Sequence, residues 1–337
     1  MVGDLNRRSF LRGVGAAGLL SMAPEAGAAV GPTGEHIVHE VVQATPEEKP
    51  KYSIKFSVCG MSHDHIYGMI GAVQRGGGVL VSAWAGEPDK IAAFKKRFPD
   101  VKIVATQDEI VNDKSIQLVL SSQIANERAS LGVKVMKSGK DFLSDKPGIT
   151  TLEQLAEVRK TIAETHRIYA IMYSERLEVK AAVKAGELVQ SGAIGRVIQT
   201  INIAPHQIMQ GHGDAGGGSG GRPDWFWVPE QYGGILCDIG SHQCEQFLFF
   251  ANTLDAEVIS ATVANRAHPE TPGLQDFGDM HFRAPNATGY VRVDWFTPAG
   301  LPTWGDGRLT ILGTEGYIEL RKYVDIAGRP EIGRAHV

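Results

Sequence analysis

From Ile54 onward the chain alternates short apolar runs with helix-forming stretches, and that alternation leaves few folds open. The first apolar run is Ile54-Lys55-Phe56-Ser57-Val58-Cys59; Gly60 turns it into a helical stretch from His65 to Gln74, and a second apolar run follows from Val79 to Ala85. This is a βαβ unit. Strands are expected again at Lys102 to Ala105, Gln117 to Ser121 and Phe142 to Ser144, with helices at Pro88 to Phe98 and about Ala125 to Ser138 between them. A helix near Thr151, capped through Thr150 and Glu153, is expected to bury Leu152, Leu155, Ala156 and Ile162. A strand from Arg167 to Met172 closes the unit. Strands joined by helical crossovers pair in parallel, so this half is a doubly wound parallel sheet.

The texture changes after Tyr173. A long helix is expected from Glu175 to about Gln190, then a strand at Val197 to Ile203 and a glycine-rich loop from Gly211 to Gly221, which is either mobile or pinned by a ligand. A helix from about Ile235 to Phe250 follows. The strand-like runs Glu257 to Val263, Asp279 to Arg283, Thr288 to Asp294, Arg308 to Leu312 and Tyr317 to Leu320 predict an open, mainly antiparallel sheet.

Both ends are excluded from this fold reasoning. Asn6-Arg7-Arg8-Ser9-Phe10-Leu11-Arg12, an apolar run from Gly13 to Met22 and the small residues Ala26-Gly27-Ala28 have the order of a twin-arginine export signal. That predicts a partner in the twin-arginine translocation machinery and a periplasmic or otherwise exported protein. The apolar run is too short for a membrane span. The tail Glu331 to Val337 reads as the translation of GAG ATC GGA AGA GCA CAC GTC, the start of a common sequencing adapter, so the natural chain is expected to continue past about Pro330. The expected organisation is a signal over 1–28, a linker or arm over 29–50, domains over 51–172 and 173–330, the second truncated, and an adapter remnant over 331–337.

With 43% hydrophobic and 21% charged residues and a formal charge of −4, the chain has no basic field for nucleic acid or an anionic membrane. Its three cysteines, Cys59, Cys237 and Cys244, are too few for a disulfide framework and lack the paired ligands of a structural zinc site; no metal is expected.

Three places carry chemistry. The turn after the first strand of a βαβ unit is where a dinucleotide pyrophosphate sits, but here Gly60-Met61-Ser62-His63-Asp64-His65 retains one glycine of the fingerprint, and Gly86 stands just before Glu87 at the end of the second strand. The spacing favours cofactor binding only slightly over a bare structural turn. His63 and His65 line a phosphate site or cap the helix. Lys146, extended by Pro147, projects past the carboxyl edge of the sheet, where it holds a substrate oxygen or is merely solvated. Asp238 and His242, four apart, share one helix face: an imidazole can take a hydroxyl proton while a carboxylate orients it, or the two are a surface pair.

The ordered set of motifs resembles the Gfo/Idh/MocA family of NAD(P)-dependent oxidoreductases. Gly139-Lys140-Asp141-Phe142-Leu143-Ser144-Asp145-Lys146-Pro147 is similar to the family's GKHV-x-x-EKP, Ser191-Gly192-Ala193-Ile194-Gly195-Arg196-Val197 to its SG-x-IG-x-V, and Gly233 to His242 to its GG-x-x-x-D-x-G-x-H. Leu312-Gly313-Thr314-Glu315-Gly316 resembles its late G-T-x-G turn; Ile124-Ala125-Asn126-Glu127-Arg128 departs from its Pro-Asn-x-x-His. The resemblance implies a Rossmann domain followed by an α/β domain whose open sheet mediates homo-oligomers. It implies a catalytic group of Lys146, Asp238 and His242, and NAD or NADP held near Gly60, Ser62, His63, His65, Glu87, Asn126, Arg128 and Lys146. Substrate contacts are expected at Arg176, His206, Arg222 and Trp225, with Trp225, Phe226 and Trp227 as a sugar-stacking wall.

The expected function is hydride transfer at a secondary alcohol of a sugar, sugar acid or cyclitol by an exported enzyme that retains its cofactor. A redox-neutral, NAD-dependent glycosidase and a non-catalytic sugar-binding protein are the alternatives.

Overall fold

A computed structural model describes residues 50, 53–208, 222–298, 300–301 and 303–324. The twin-arginine signal, the arm up to Lys49, the glycine-rich loop and the tail lie outside the described residues.

The first half is one six-stranded sheet. Strands β1 (Ile54–Cys59), β2 (Gly78–Trp84), β3 (Lys102–Ile103), β4 (Leu118–Ser121), β5 (Asp141–Asp145) and β6 (Tyr169–Met172) lie in the order β3-β2-β1-β4-β5-β6, and every pairing is parallel. Helices cover both faces: α1 (His65–Arg75), α2 (Pro88–Arg97), α3 (Gln107–Asn112), α4 (Arg128–Lys137) and α5 (Leu152–Thr165). Alternation along β1 splits the core. Phe56 and Val58 join Ile66, Ile70 and Phe94 on one face, whereas Cys59 joins Ile110, Val119, Leu131 and Phe142 on the other.

The order reverses beside β1 and β4, and that switch point opens a crevice at the carboxyl ends of the strands. Lys146 follows the last residue of β5, so it stands at that edge.

The second half is a mixed sheet in the order β12-β11-β7-β10-β9-β8, built from β7 (Val197–Pro205), β8 (Glu257–Ala264), β9 (Phe277–Arg283), β10 (Thr288–Asp294), β11 (Arg308–Gly313) and β12 (Tyr317–Arg321). Only β7 and β10 run parallel among these neighbours. Helices α6 (Lys180–Gln190) and α7 (Gly240–Phe250) complete this half. Phe247 of α7 packs with Phe282, Val291 and Val293 over the sheet.

Three local expectations are corrected. The helix expected from Glu175 to Gln190 is split: a turn at Ser174–Leu177 precedes α6, because Val179 is extended (ψ 109°) and acts as its N-cap. The helix expected from Ile235 to Phe250 is likewise two pieces, Ile235–Asp238 and α7, though Ile239 stays near helical angles and leaves Asp238 and His242 close. On α5 the cap is Thr151, which accepts from the Gln154 N–H at 3.2 Å, and the buried face runs through Val158 and Thr161 toward α4. Leu152 is 78% exposed, so the expected stripe was rotated.

Candidate active site

The site is built around Asp145, the last residue of β5. Its carboxylate accepts from His63 Nδ1 at 2.7 Å, His65 Nδ1 at 2.9 Å and the Lys146 N–H at 2.7 Å, with Arg128 Nη2 at 3.2 Å. Burial pushes this carboxyl up, but His65, Arg128 and His63 together hold it well below the usual range. Arg128 is fully buried and donates to the carbonyls of Gln123, Lys146 and Pro147 at 2.7, 2.6 and 3.1 Å. It therefore braces the Lys146 backbone. The ligand atoms of His63, His65 and Asp145 lie within 4.8 Å of one another, a spacing a cation tolerates, yet Arg128 already supplies the charge there.

Lys146 Nζ donates to Asp238 Oδ1 at 2.9 Å, joining residues 92 apart in sequence. Both are buried, and Asp238 Oδ2 has no partner among the described residues. Burial raises the Asp238 carboxyl, but Lys146 and Arg222 outweigh it, so this group is ionised. Gly234 sets the approach: its φ is +86°, and a Cβ there would meet Gln275 Oε1 at 2.5 Å, the same oxygen that accepts from the Ile235 N–H at 3.0 Å. The glycine pair thus accommodates side chains, Thr150 at Gly233 and Gln275 at Gly234.

One helical turn on, His242 is buried and its Nδ1 has no partner among the described residues. Burial lowers it to about 4 against the opposing pull of Glu175, so the ring is neutral near pH 7. Glu175 is itself buried; it accepts from Lys322 at 2.7 Å and Gln243 at 2.8 Å. Tyr173 meets the His242 ring edge-on at 5.5 Å.

Lys146, Asp145, His65 and His242 open into one cleft of about 710 Å³. Its far wall is His206, Arg222, Trp295, Trp304 and Tyr323. His206 lies between Trp295 at 5.6 Å and Trp304 at 4.6 Å, and burial lowers it to about 3. Of the expected substrate contacts, His206 and Arg222 are here. Arg176 is spent on Glu245 at 2.5 Å and lies over Phe249. Trp225 and Phe226 are core residues, 7% and 1% exposed, and are not among the residues lining the cleft; Trp295, itself only 3% exposed, and Trp304 are the tryptophans that line it. Those two and Glu175 went unread, having no motif around them; Asp145 carried a signal in its place beside Lys146.

The switch-point edge holds the other candidates. Ser62 Oγ donates to Glu87 Oε1 at 2.5 Å, and Glu87 raises Glu127 opposite it, though burial is the larger cause. Asn126 Oδ1 is buried without a partner among the described residues. Gly60 has φ +88°, and a Cβ would lie 2.5 Å from Gln123 Cβ, so packing against the loop after β4 alone demands glycine. The His63 N–H is likewise bonded to the Ser122 carbonyl at 3.0 Å.

Residues 182–319 match the model of the GFO/IDH/MocA C-terminal domain. A crystal structure described as an oxidoreductase, from Erwinia carotovora atroseptica, is 47% identical with a TM-score of 0.77, covering 82% of this chain and 80% of that one. A D-xylose dehydrogenase from Paenarthrobacter nicotinovorans is 27% identical over 40% of this chain and 34% of its own length. A levoglucosan dehydrogenase solved with NADH and levoglucosan shares the fold at TM-score 0.66 and 16% identity, over 80% of this chain and 73% of that one. The chain spans 34% to 62% of the length of the curated relatives it matches. With the second sheet and α7 inside the matched domain and nearly half of its residues shared with an oxidoreductase across four fifths of both chains, the chain belongs to the GFO/IDH/MocA family.

Proposed function

We propose that this protein oxidises a secondary alcohol of a carbohydrate-like substrate, with a nicotinamide dinucleotide at the switch-point edge. The observation that carries this reading is Lys146, held by buried Asp238, opening with a neutral His242 into one cleft at the carboxyl edge of a Rossmann sheet. The sugar dehydrogenases among its relatives support the substrate class.

The residues present fit the cofactor. Ser62 and Glu87 form a ribose-binding edge, and the orphaned Asn126 Oδ1 offers an acceptor beside it. Glu87 and Glu127 make this edge acidic, which favours NAD over the extra phosphate of NADP. When bound, the cofactor supplies a hydride acceptor. The protein does the rest. Lys146, fixed by Asp238, holds the hydroxyl oxygen and stabilises negative charge developing on it. His242 takes the hydroxyl proton on its free Nδ1 as the carbon loses hydride. Arg128, working through the Lys146 carbonyl, and Asp145, through the Lys146 N–H, keep the lysine aimed.

The test is a panel of sugars, sugar acids and cyclitols with NAD or NADP, read by nicotinamide absorbance. At least one substrate should reduce NAD faster than NADP. Lys146→Met and His242→Gln should each lower kcat by roughly 10²–10³-fold. Aryl glycosides cleaved with no net reduction would instead favour the redox-neutral reaction.

We also read the protein as exported with its cofactor retained and as a homo-oligomer. A reporter fused to residues 1–28 should lose export on Arg7→Lys with Arg8→Lys. Native mass spectrometry should find bound nucleotide and more than one subunit.

A further inference from the structure

Most charged side chains of the cleft wall are held by an opposite charge or by an aromatic ring. Asp64 pairs with Lys90 at 3.3 Å, Asp145 with Arg128 at 3.2 Å, Glu175 with Lys322 at 2.7 Å and Glu178 with Arg75 at 2.9 Å. Lys146 is neutralised by Asp238 at 2.9 Å, and Arg97 is engaged over the Tyr67 ring at 4.2 Å. Arg222 has no carboxylate within ion-pair distance among the described residues. Its Nη2 donates to the Gln207 carbonyl at 3.3 Å, while its Nε is buried with no acceptor.

The surroundings make that vacancy costly. The guanidinium lies over Trp295 at 4.3 Å and Phe226 at 5.0 Å, so aromatic rings replace water around it. Burial lowers it to about 10, which still leaves it charged at neutral pH. Arg222 is partly buried, and Asp238 acts on it only through space, beyond ion-pair distance, so its orphaned N–H leaves room for an added anion. A guanidinium offers parallel N–H groups in a fixed fork, a geometry matched to a planar carboxylate. One guanidinium fork with one orphaned N–H meets one carboxylate.

We propose that Arg222 is a carboxylate subsite, and that the substrate is a sugar acid of the uronate type, not a neutral sugar or cyclitol. The carboxylate sits on Arg222 against Trp295, and the reacting hydroxyl reaches Lys146 and His242 across the same cleft. This rests on the oxidoreductase reading for its chemistry but not for its binding.

The test compares hexoses and hexuronates that differ only at C6: D-glucose with D-glucuronate, and D-galactose with D-galacturonate. Titration calorimetry on the full chain with NAD present should show at least one uronate bound roughly 10- to 100-fold tighter than its neutral partner. Arg222→Met should abolish the preference and Arg222→Lys should keep part of it, with circular dichroism checking that each folds. If the Met variant does not fold, the Lys variant must show a reduced preference. No uronate binding, equal binding of both partners, tighter binding of D-glucose 6-phosphate, or a preference surviving in a folded Met variant would each overturn the subsite. Discriminating binding without NAD reduction would refute the oxidation and leave the subsite standing; reduction by neutral sugars alone would do the reverse.

Discussion

Lys146 and Asp238 illustrate how a function-bearing pair constrains stability. Each is nearly inaccessible, and each is tolerable only because the other is 2.9 Å away. Removing the lysine alone strands an ionised carboxylate whose second oxygen already has no partner among the described residues. Lys146→Met should therefore lower unfolding stability by about 3–5 kcal/mol. Adding Asp238→Leu should recover most of that loss while activity stays absent, because two apolar side chains leave no buried charge behind. Urea unfolding of the single and double variants measures both; a double variant no more stable than the single would show that the pair's cost lies elsewhere. The pair was legible in the sequence only through the ordered motifs, since nothing in either segment alone says that residues 92 apart meet. Lys322 was not legible, as its partner Glu175 lies 147 residues away and neither belongs to a recognised spacing.

At the level of elements, the alternation of strand and helix was readable because period and length both speak for it, and all six parallel strands overlap the expected runs, with ends that differ by one or two residues. What failed was local geometry. The α5 stripe failed because a surface helix with several scattered apolar residues permits more than one face, and contact with α4 chooses between them. The turn at Gly60 was ambiguous for a different reason: a glycine required by a ligand and one required by a neighbouring loop look the same in sequence. Two glycines with almost equal φ separate strain from packing. Gly60 (+88°) has Gln123 Cβ in the way, while Gly139 (+87°) faces open space. Gly139→Ala should cost about 1–2 kcal/mol from the left-handed conformation alone. Gly60→Ala should cost about 1–3 kcal/mol more from overpacking. Equal losses in urea unfolding would mean that the loop after β4 simply yields.

Across the whole molecule, two of the histidines lining the cleft, His206 and His242, are kept neutral by the fold, and this shapes how the protein meets acid. Burial lowers His206 to about 3 and His242 to about 4, whereas in the unfolded chain each titrates near 6.5. Above that value both states are neutral and the full stability is present. As pH falls from about 6.5 toward 4, the unfolded chain binds protons that the native state refuses, so stability declines by up to ~1.4 kcal/mol per pH unit for each ring. Further down, Asp145 and Asp238 add to the loss, since both are held below their ordinary range in the native state and protonate first in the unfolded one. The urea midpoint should therefore fall steadily between pH 7 and pH 4.5, well before carboxylates titrate. Buried His63 is lowered to about 3 as well, so replacing His206 with glutamine should flatten that slope by about a third without touching the Lys146–Asp238 pair. A midpoint independent of pH over this range would mean that the histidines titrate in the folded protein as they do in the unfolded chain, and His242 would then lose its standing as a base as pH falls below about 6.5 instead of keeping it toward 4.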